Sequence, residues 1–232
     1  MFASDNEAEA ETNIVAATPP DNNPDTATPT NETEDSGTPA LDIIGAFKQG
    51  GERNCVTVAI IKAAIEVFGI YKVVQIGRDG ESYNVKMRDG IQLTVTNADV
   101  DFASQHSNFM IGADNELFAY ANFLFAVMAK RAQEEGNENA TTYEDAIASL
   151  NNGEHYSSGA RWLGLARFCV AVPKQAITKF GGIVGASTDH CFYVTYGWQD
   201  DYGDPVRISS VDLFFDRYQY LQFYRIVGDT AN

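Results

Sequence analysis

At 232 residues and 25.4 kDa, with 44% hydrophobic and 12% aromatic residues, the chain can bury one substantial core. Its 32 acidic against 16 basic side chains give a formal net charge of −16, which excludes the basic groove of a nucleic-acid binder and suits an anionic membrane surface poorly. No apolar run approaches the roughly 18–20 residues of a spanning helix, so no membrane insertion is expected.

Residues 1–41 are a different material from the rest. Asp, Glu, Asn, Thr, Pro and Ala dominate, nine of the acids lie here, and the first cationic side chain of the chain is Lys48. Pro19, Pro20, Pro24, Pro29 and Pro39 favour extended backbone, and apolar surface is too scarce to offset the entropy of ordering. The reading is a disordered acidic tail over 1–41 and a folded domain over 42–232. The first residues lack the charged and apolar regions of a signal peptide, which leaves a cytoplasmic chain and the mature form of a tethered or exported one both open.

A glycine-bearing loop, Gln49-Gly50-Gly51-Glu52-Arg53-Asn54-Cys55, leads into an apolar run that ends at Gly69. Val56, Ala59, Ile60, Ala63 and Val67 keep helical spacing, while Ile61, Ile65 and Phe68 fill a second face, so the helix is central to the fold. Tyr71–Ile76 and Tyr83–Met87 then read as a hairpin around Gly77-Arg78-Asp79-Gly80, and Ile91–Thr96 alternates as a half-buried strand. Asp99 to Asn115 reads as loop. A long helix is expected from about Glu116 to Glu134, stopped at Gly136, and Thr142 with Asp145 makes a capping box for Tyr143–Leu150.

The last third is richer in strands. Phe168–Val172 is one before Pro173, Gln175–Phe180 is a short helix or turn, and Cys191–Trp198 is an aromatic, β-branched strand. That strand is expected to turn through Asp200–Pro205 into Val206–Ile208. Ser210 would cap a short helix over Val211–Tyr218, and Gln222–Val227 closes the chain as a strand. Helices come first and an antiparallel sheet last, an α+β order with no internal repeat.

Two positions stand out chemically. A free cysteine is most often a small buried residue, but Cys55 sits at a helix N-terminus, where the macrodipole and unpaired N–H groups favour thiolate. His190 opens the aromatic strand about 135 residues later. His106, in a polar run, and His155, after Asn-Asn-Gly-Glu, read as solvated. Cys55, Cys169 and Cys191 are spaced for neither a zinc site nor a disulfide framework; Cys169 and Cys191 read as reduced and buried unless the fold brings them together.

These features together resemble the papain-like cysteine peptidase superfamily, nearest its calpain-like branch, over about residues 42–232. Gln49-Gly50 with Asn54-Cys55 is similar to the Gln-Gly…Gly-Asp-Cys-Trp loop. Ala126–Ala132 through Tyr143–Ile147 is similar to the Glu-Lys-Ala-Tyr-Ala helix and its successor, and Asp189-His190-Cys191-Phe192-Tyr193-Val194-Thr195 to the Gly-His-Ala-Tyr-Ser-Val strand. The departures are Arg53 for a glycine, Val56 for the aromatic after the nucleophile, and the missing Asn-Pro-Trp. By position the histidine-orienting residue falls near Ser209 or Ser210, with Asp200, Asp201 and Asp204 as neighbours that could serve instead.

The resemblance implies a papain-like fold, with a helical part around the cysteine-bearing helix and a C-terminal antiparallel sheet. It implies cleavage of peptide bonds in a protein or peptide substrate. His190 would take the proton of Cys55, the thiolate would attack the carbonyl, and Gln49 with the Cys55 N–H would hold the oxyanion. No cofactor is required, although calpain-like proteins bring calcium into view. No EF-hand loop is present, and Asp99, Asp101, Asp114 and Asp200–Asp204 are the carboxylates that could serve. Two alternatives remain open: the same fold kept without catalysis as a binding or regulatory module, and acyl transfer to an amine as in transglutaminase-like proteins.

Overall fold

The computed structural model describes residues 19–22, 40–187, 189–209 and 221–229. Helix α1 (Ala40–Ala46) and a short strand β1 (Phe47–Gln49) lead into helix α2 (Cys55–Phe68), which is buried on nearly every face. An all-round apolar helix has nowhere to go but the core. It stops at Gly69, whose N–H donates to the Ile65 carbonyl at 2.8 Å and whose φ of 87° a side chain would disfavour.

Strands β2 (Gln75–Asp79), β3 (Ser82–Lys86) and β4 (Gln92–Thr96) form an antiparallel sheet in that order. Ile76, Val85 and Leu93 share a register line and are all buried, as the period-2 pattern requires. The stretch read as loop from Asp99 begins instead within helix α3 (Asn97–His106). Its face is too polar to announce itself by hydrophobic periodicity, but Thr96 and Asp99 make a capping box that was present in the sequence. Strand β5 (Phe109–Ile111) pairs with β1.

Helix α4 (Asn115–Glu135) starts on an Asp114 cap and ends at Gly136 in the left-handed conformation. Helix α5 (Tyr143–Asn151) carries the expected Thr142–Asp145 capping box, and α6 (Tyr156–Trp162) follows. α2 and α4 supply much of the core, packing against each other, α1 and α6.

Six described strands make the second large layer: β6 (Cys169–Val172), β7 (Ile183–Ala186), β8 (Cys191–Thr195), β9 (Trp198–Asp201), β10 (Asp204–Arg207) and β11 (Gln222–Ile226). Their order is β10-β9-β8-β7-β11-β6, antiparallel throughout. β8, β7 and β11 all lean on α2. The protein is α+β, with helices and antiparallel sheets. Among the described residues no helix is long and apolar enough to cross a membrane.

Two expectations are corrected here. Cys191–Trp198 is not one strand: the chain reverses at Tyr196-Gly197, a two-residue turn with positive φ at both positions, and the next reversal, at Tyr202-Gly203, falls inside the turn expected over Asp200–Pro205. Tyrosine is an unusual first residue for such a turn, so the aromatic pattern hid it. The stretch 1–41 is also not uniformly a tail. α1 begins at Ala40, and Pro19–Asn22 lies against the first sheet with Pro19 buried. The Asn22 N–H donates to the Ile76 carbonyl at 2.8 Å, and its amide donates to Val74 O at 3.0 Å and to Tyr71 O.

Candidate active site

The loop that delivers Cys55 is held from several sides. A Cβ on Gly50 would lie 2.2 Å from the Asn108 carbonyl oxygen, so only glycine permits this approach. The fully buried Asn54 amide donates to Ser107 O at 2.6 Å and to Asn151 Oδ1 at 2.9 Å, and the Arg53 N–H donates to Asn151 O at 3.0 Å. Cys55 is then the first residue of α2, where backbone N–H groups have no partner within the helix.

His190 is presented from the other layer. In the bend before β8, Ser187 Oγ accepts the His190 N–H at 3.0 Å, while the Ser187 N–H donates to the His190 carbonyl at 2.9 Å. The imidazole lines the same recess as the Cys55 sulfur, close enough for each group to shift the other's titration. It stacks on Tyr202, with ring centroids 5.4 Å apart and planes at 19°. The double reversal at 196–197 and 202–203 is what returns Tyr202 to that position.

The electrostatics favour a thiolate–imidazolium pair. Cys55 is pulled down to about 4 by the hydrogen bond from the Cys191 thiol, then by His190 and the Cys191 backbone N–H, against the opposing effect of burial. His190 is raised, first by its bond to Cys55 and then by the charges of Cys55, Asp201 and Asp200, with burial again opposing. Cys191 is pushed far up by Cys55 and by burial, and so stays a thiol. Burial alone takes Cys169 up to about 11, which shows what this interior does to a sulfur without partners of this kind.

Behind the pair lies a second polar layer. Lys62, about two helical turns after Cys55 on α2, is fully buried and donates to Asp200 Oδ2 at 2.6 Å and to Ile44 O at 2.8 Å. Asp200 Oδ1 accepts the Gly203 N–H at 2.7 Å. One turn further, Glu66 accepts from Tyr193 at 2.7 Å and Thr195 at 2.5 Å, both on β8. These contacts fix the helix that carries the sulfur to the strands that carry the imidazole. Burial lowers the Lys62 ammonium from its usual range despite the raising effect of Asp200.

Cys55, His190 and Gln49 share a recess of about 20 Å³ with Cys191, Asp200 and Tyr202. The recess opens into a cleft of about 610 Å³ between Arg53 and Gly153–Tyr156 on one side and Ala186, Ser187 and Gln222 on the other. Gln49 Nε2 donates to the Glu52 carbonyl, which occupies one of the two N–H bonds of its amide.

The other sequence-stated candidates are dispersed. Ser210 lies outside the described residues. His106 stacks on Phe102 with centroids 4.0 Å apart and lines neither the recess nor the cleft. His155 caps α6, and although exposed it also lines the outer cleft, a place the solvated reading did not give it. Cys169 and Cys191 cannot pair: two strands, β7 and β11, separate β6 from β8, roughly 14 Å at the usual spacing. Asp99 and Asp114 cap α3 and α4, and Asp200 binds Lys62. Among the described residues no group of three or more His, Cys, Asp or Glu side chains could hold a metal.

Sequence reasoning did not single out Lys62, Tyr202 or Ser187, and read Cys191 only as a buried residue. Lys62 had a signal, as a cation inside a largely apolar helix about two turns after Cys55. Comparison with protein-family models, with curated proteins and with solved structures returns no match.

Proposed function

We propose that the chain is a thiol hydrolase that cleaves peptide bonds through Cys55 and His190 on a papain-like fold. The observation that carries this reading is that Cys55, at the start of a buried helix, and His190 meet in one recess that opens into a cleft. The Cys55 thiolate attacks the substrate carbonyl, forming a C–S bond as the carbonyl electrons move to oxygen. The Cys55 N–H and the remaining N–H of Gln49 donate to that oxyanion, each such donor contributing about 10²–10³ in rate. His190 passes its proton to the leaving amine, then deprotonates the water that releases the acyl group. The charges of Asp201 and Asp200 favour the imidazolium form of His190.

A peptide mixture incubated with the protein and read by mass spectrometry tests this. New termini should accumulate with wild type and be absent with Cys55→Ala. A trapped acyl-enzyme should map to Cys55. The competing reading is a binding module that keeps the fold without catalysis, favoured by the Gln49 amide turned to Glu52 and by the small recess at the sulfur. Peptides retained by wild type and Cys55→Ala alike, with no cleavage, would establish that reading instead.

A further inference from the structure

The residue after His190 is a second cysteine, and the fold turns it onto the first. Cys191 is 5% exposed, at the start of β8 where that strand leans on α2. The two residues line the same recess, and the nearness of the Cys191 thiol and backbone N–H draws the Cys55 thiol down. Nothing in peptide hydrolysis requires a thiol there. A hydroxyl or a bare backbone N–H would do as well for binding a thiolate. What a thiol adds is the capacity to bond covalently to its neighbour.

We propose that Cys55 and Cys191 form a redox modification site, converted by a hydroperoxide into a reversible intramolecular disulfide. The recess of about 20 Å³ is the size of one small polar molecule, and the cleft gives it an entry path. The Cys55 thiolate attacks one peroxide oxygen, the O–O bond breaks, and the second oxygen leaves as hydroxide or alkoxide and takes up a proton. Cys55 is now the sulfenic acid. The Cys191 sulfur attacks the Cys55 sulfur, the S–O bond breaks, and the departing hydroxide takes the Cys191 proton and leaves as water. An external dithiol reverses the step by thiol–disulfide exchange and is itself oxidised to a disulfide. Cys191 acts as a resolving thiol that stops oxidation of Cys55 before the irreversible sulfinic stage.

The inference rests on the same reading of Cys55 as an activated thiolate, but not on peptide cleavage. Wild type, Cys191→Ser, Cys191→Ala and Cys169→Ser would each be treated with hydrogen peroxide and mapped without reduction. Wild type and Cys169→Ser should lose two hydrogens and yield a linked Cys55–Cys191 peptide that dithiothreitol releases. Both Cys191 variants should accumulate sulfinic and sulfonic acid at Cys55, which dithiothreitol does not reverse. Overoxidation of wild-type Cys55 at the rate of the Cys191 variants, with no linked peptide, would overturn the proposal. A linked peptide in a protein that cleaves no peptide would instead overturn only the hydrolase reading.

Discussion

Lys62 Nζ lies 2.6 Å from Asp200 Oδ2, both side chains almost wholly removed from solvent, and this ion pair ties the cysteine-bearing helix to the strand beside the histidine. Breaking a buried pair leaves an uncompensated charge, typically at a cost of about 3–5 kcal/mol. Lys62→Met should therefore lower stability by about that amount in urea unfolding. The double variant Lys62→Met, Asp200→Leu should recover part of the loss, because two apolar groups leave no orphaned charge. Equal stability of single variant and wild type would show that the pair does not hold the layers together.

Reactivity at Cys55 should follow pH as a bell. The acid limb belongs to protonation of the thiolate, near 4, and the alkaline limb to loss of the imidazolium proton, above the ordinary imidazole value of 6.5. The signs also carry to stability. The contribution of the depressed Cys55 is lost as pH falls through about 4, and that of the raised His190 is lost as pH rises through its elevated value. Alkylation rates across pH 3–10 check the first point, and unfolding midpoints over the same range check the second. A single rising limb near 9, the ordinary thiol value, would contradict both.

Tyr202 holds the imidazole by its ring face rather than by its hydroxyl. Tyr202→Phe should leave the pH profile of alkylation in place. Tyr202→Gly, which relieves the positive φ of 52° while removing the ring, should weaken the positioning of His190 by about 0.5–1.5 kcal/mol and slow alkylation several-fold.

Gly50→Ala places a methyl against the Asn108 carbonyl, where backbone must move to admit it. A stability loss of about 1–3 kcal/mol is expected, together with slower labelling of Cys55, since Gln49 and the nucleophile sit on either side of the displaced loop. Thermal unfolding and labelling of the same preparation separate the two effects.

The sequence carried the local half of this account. Cys55 at a helix start, Gly69 and Gly136 as stops, and the Thr142–Asp145 box are all decided within one or two turns of chain, and each is where local chemistry puts it. The interval of about 135 residues between Cys55 and His190 was legible in the sequence, but their meeting in one recess depends on β8 lying on α2. What stayed hidden depends on long-range packing. Lys62 meets Asp200 across two layers, Tyr202 reaches His190 only through two Tyr-Gly reversals, and Cys191 meets Cys55 because β8 lies on α2. α3 was missed for another reason: its polar face has a cap but little hydrophobic periodicity.

The most direct measurement is the rate of labelling by an epoxysuccinyl peptide, mapped by mass spectrometry, in wild type, Cys55→Ala and His190→Ala at pH 6. The account predicts a single fast adduct at Cys55, slowed about 10²-fold or more by His190→Ala and lost in Cys55→Ala. Labelling at Cys55 no faster than at Cys169, and indifferent to His190, would contradict it.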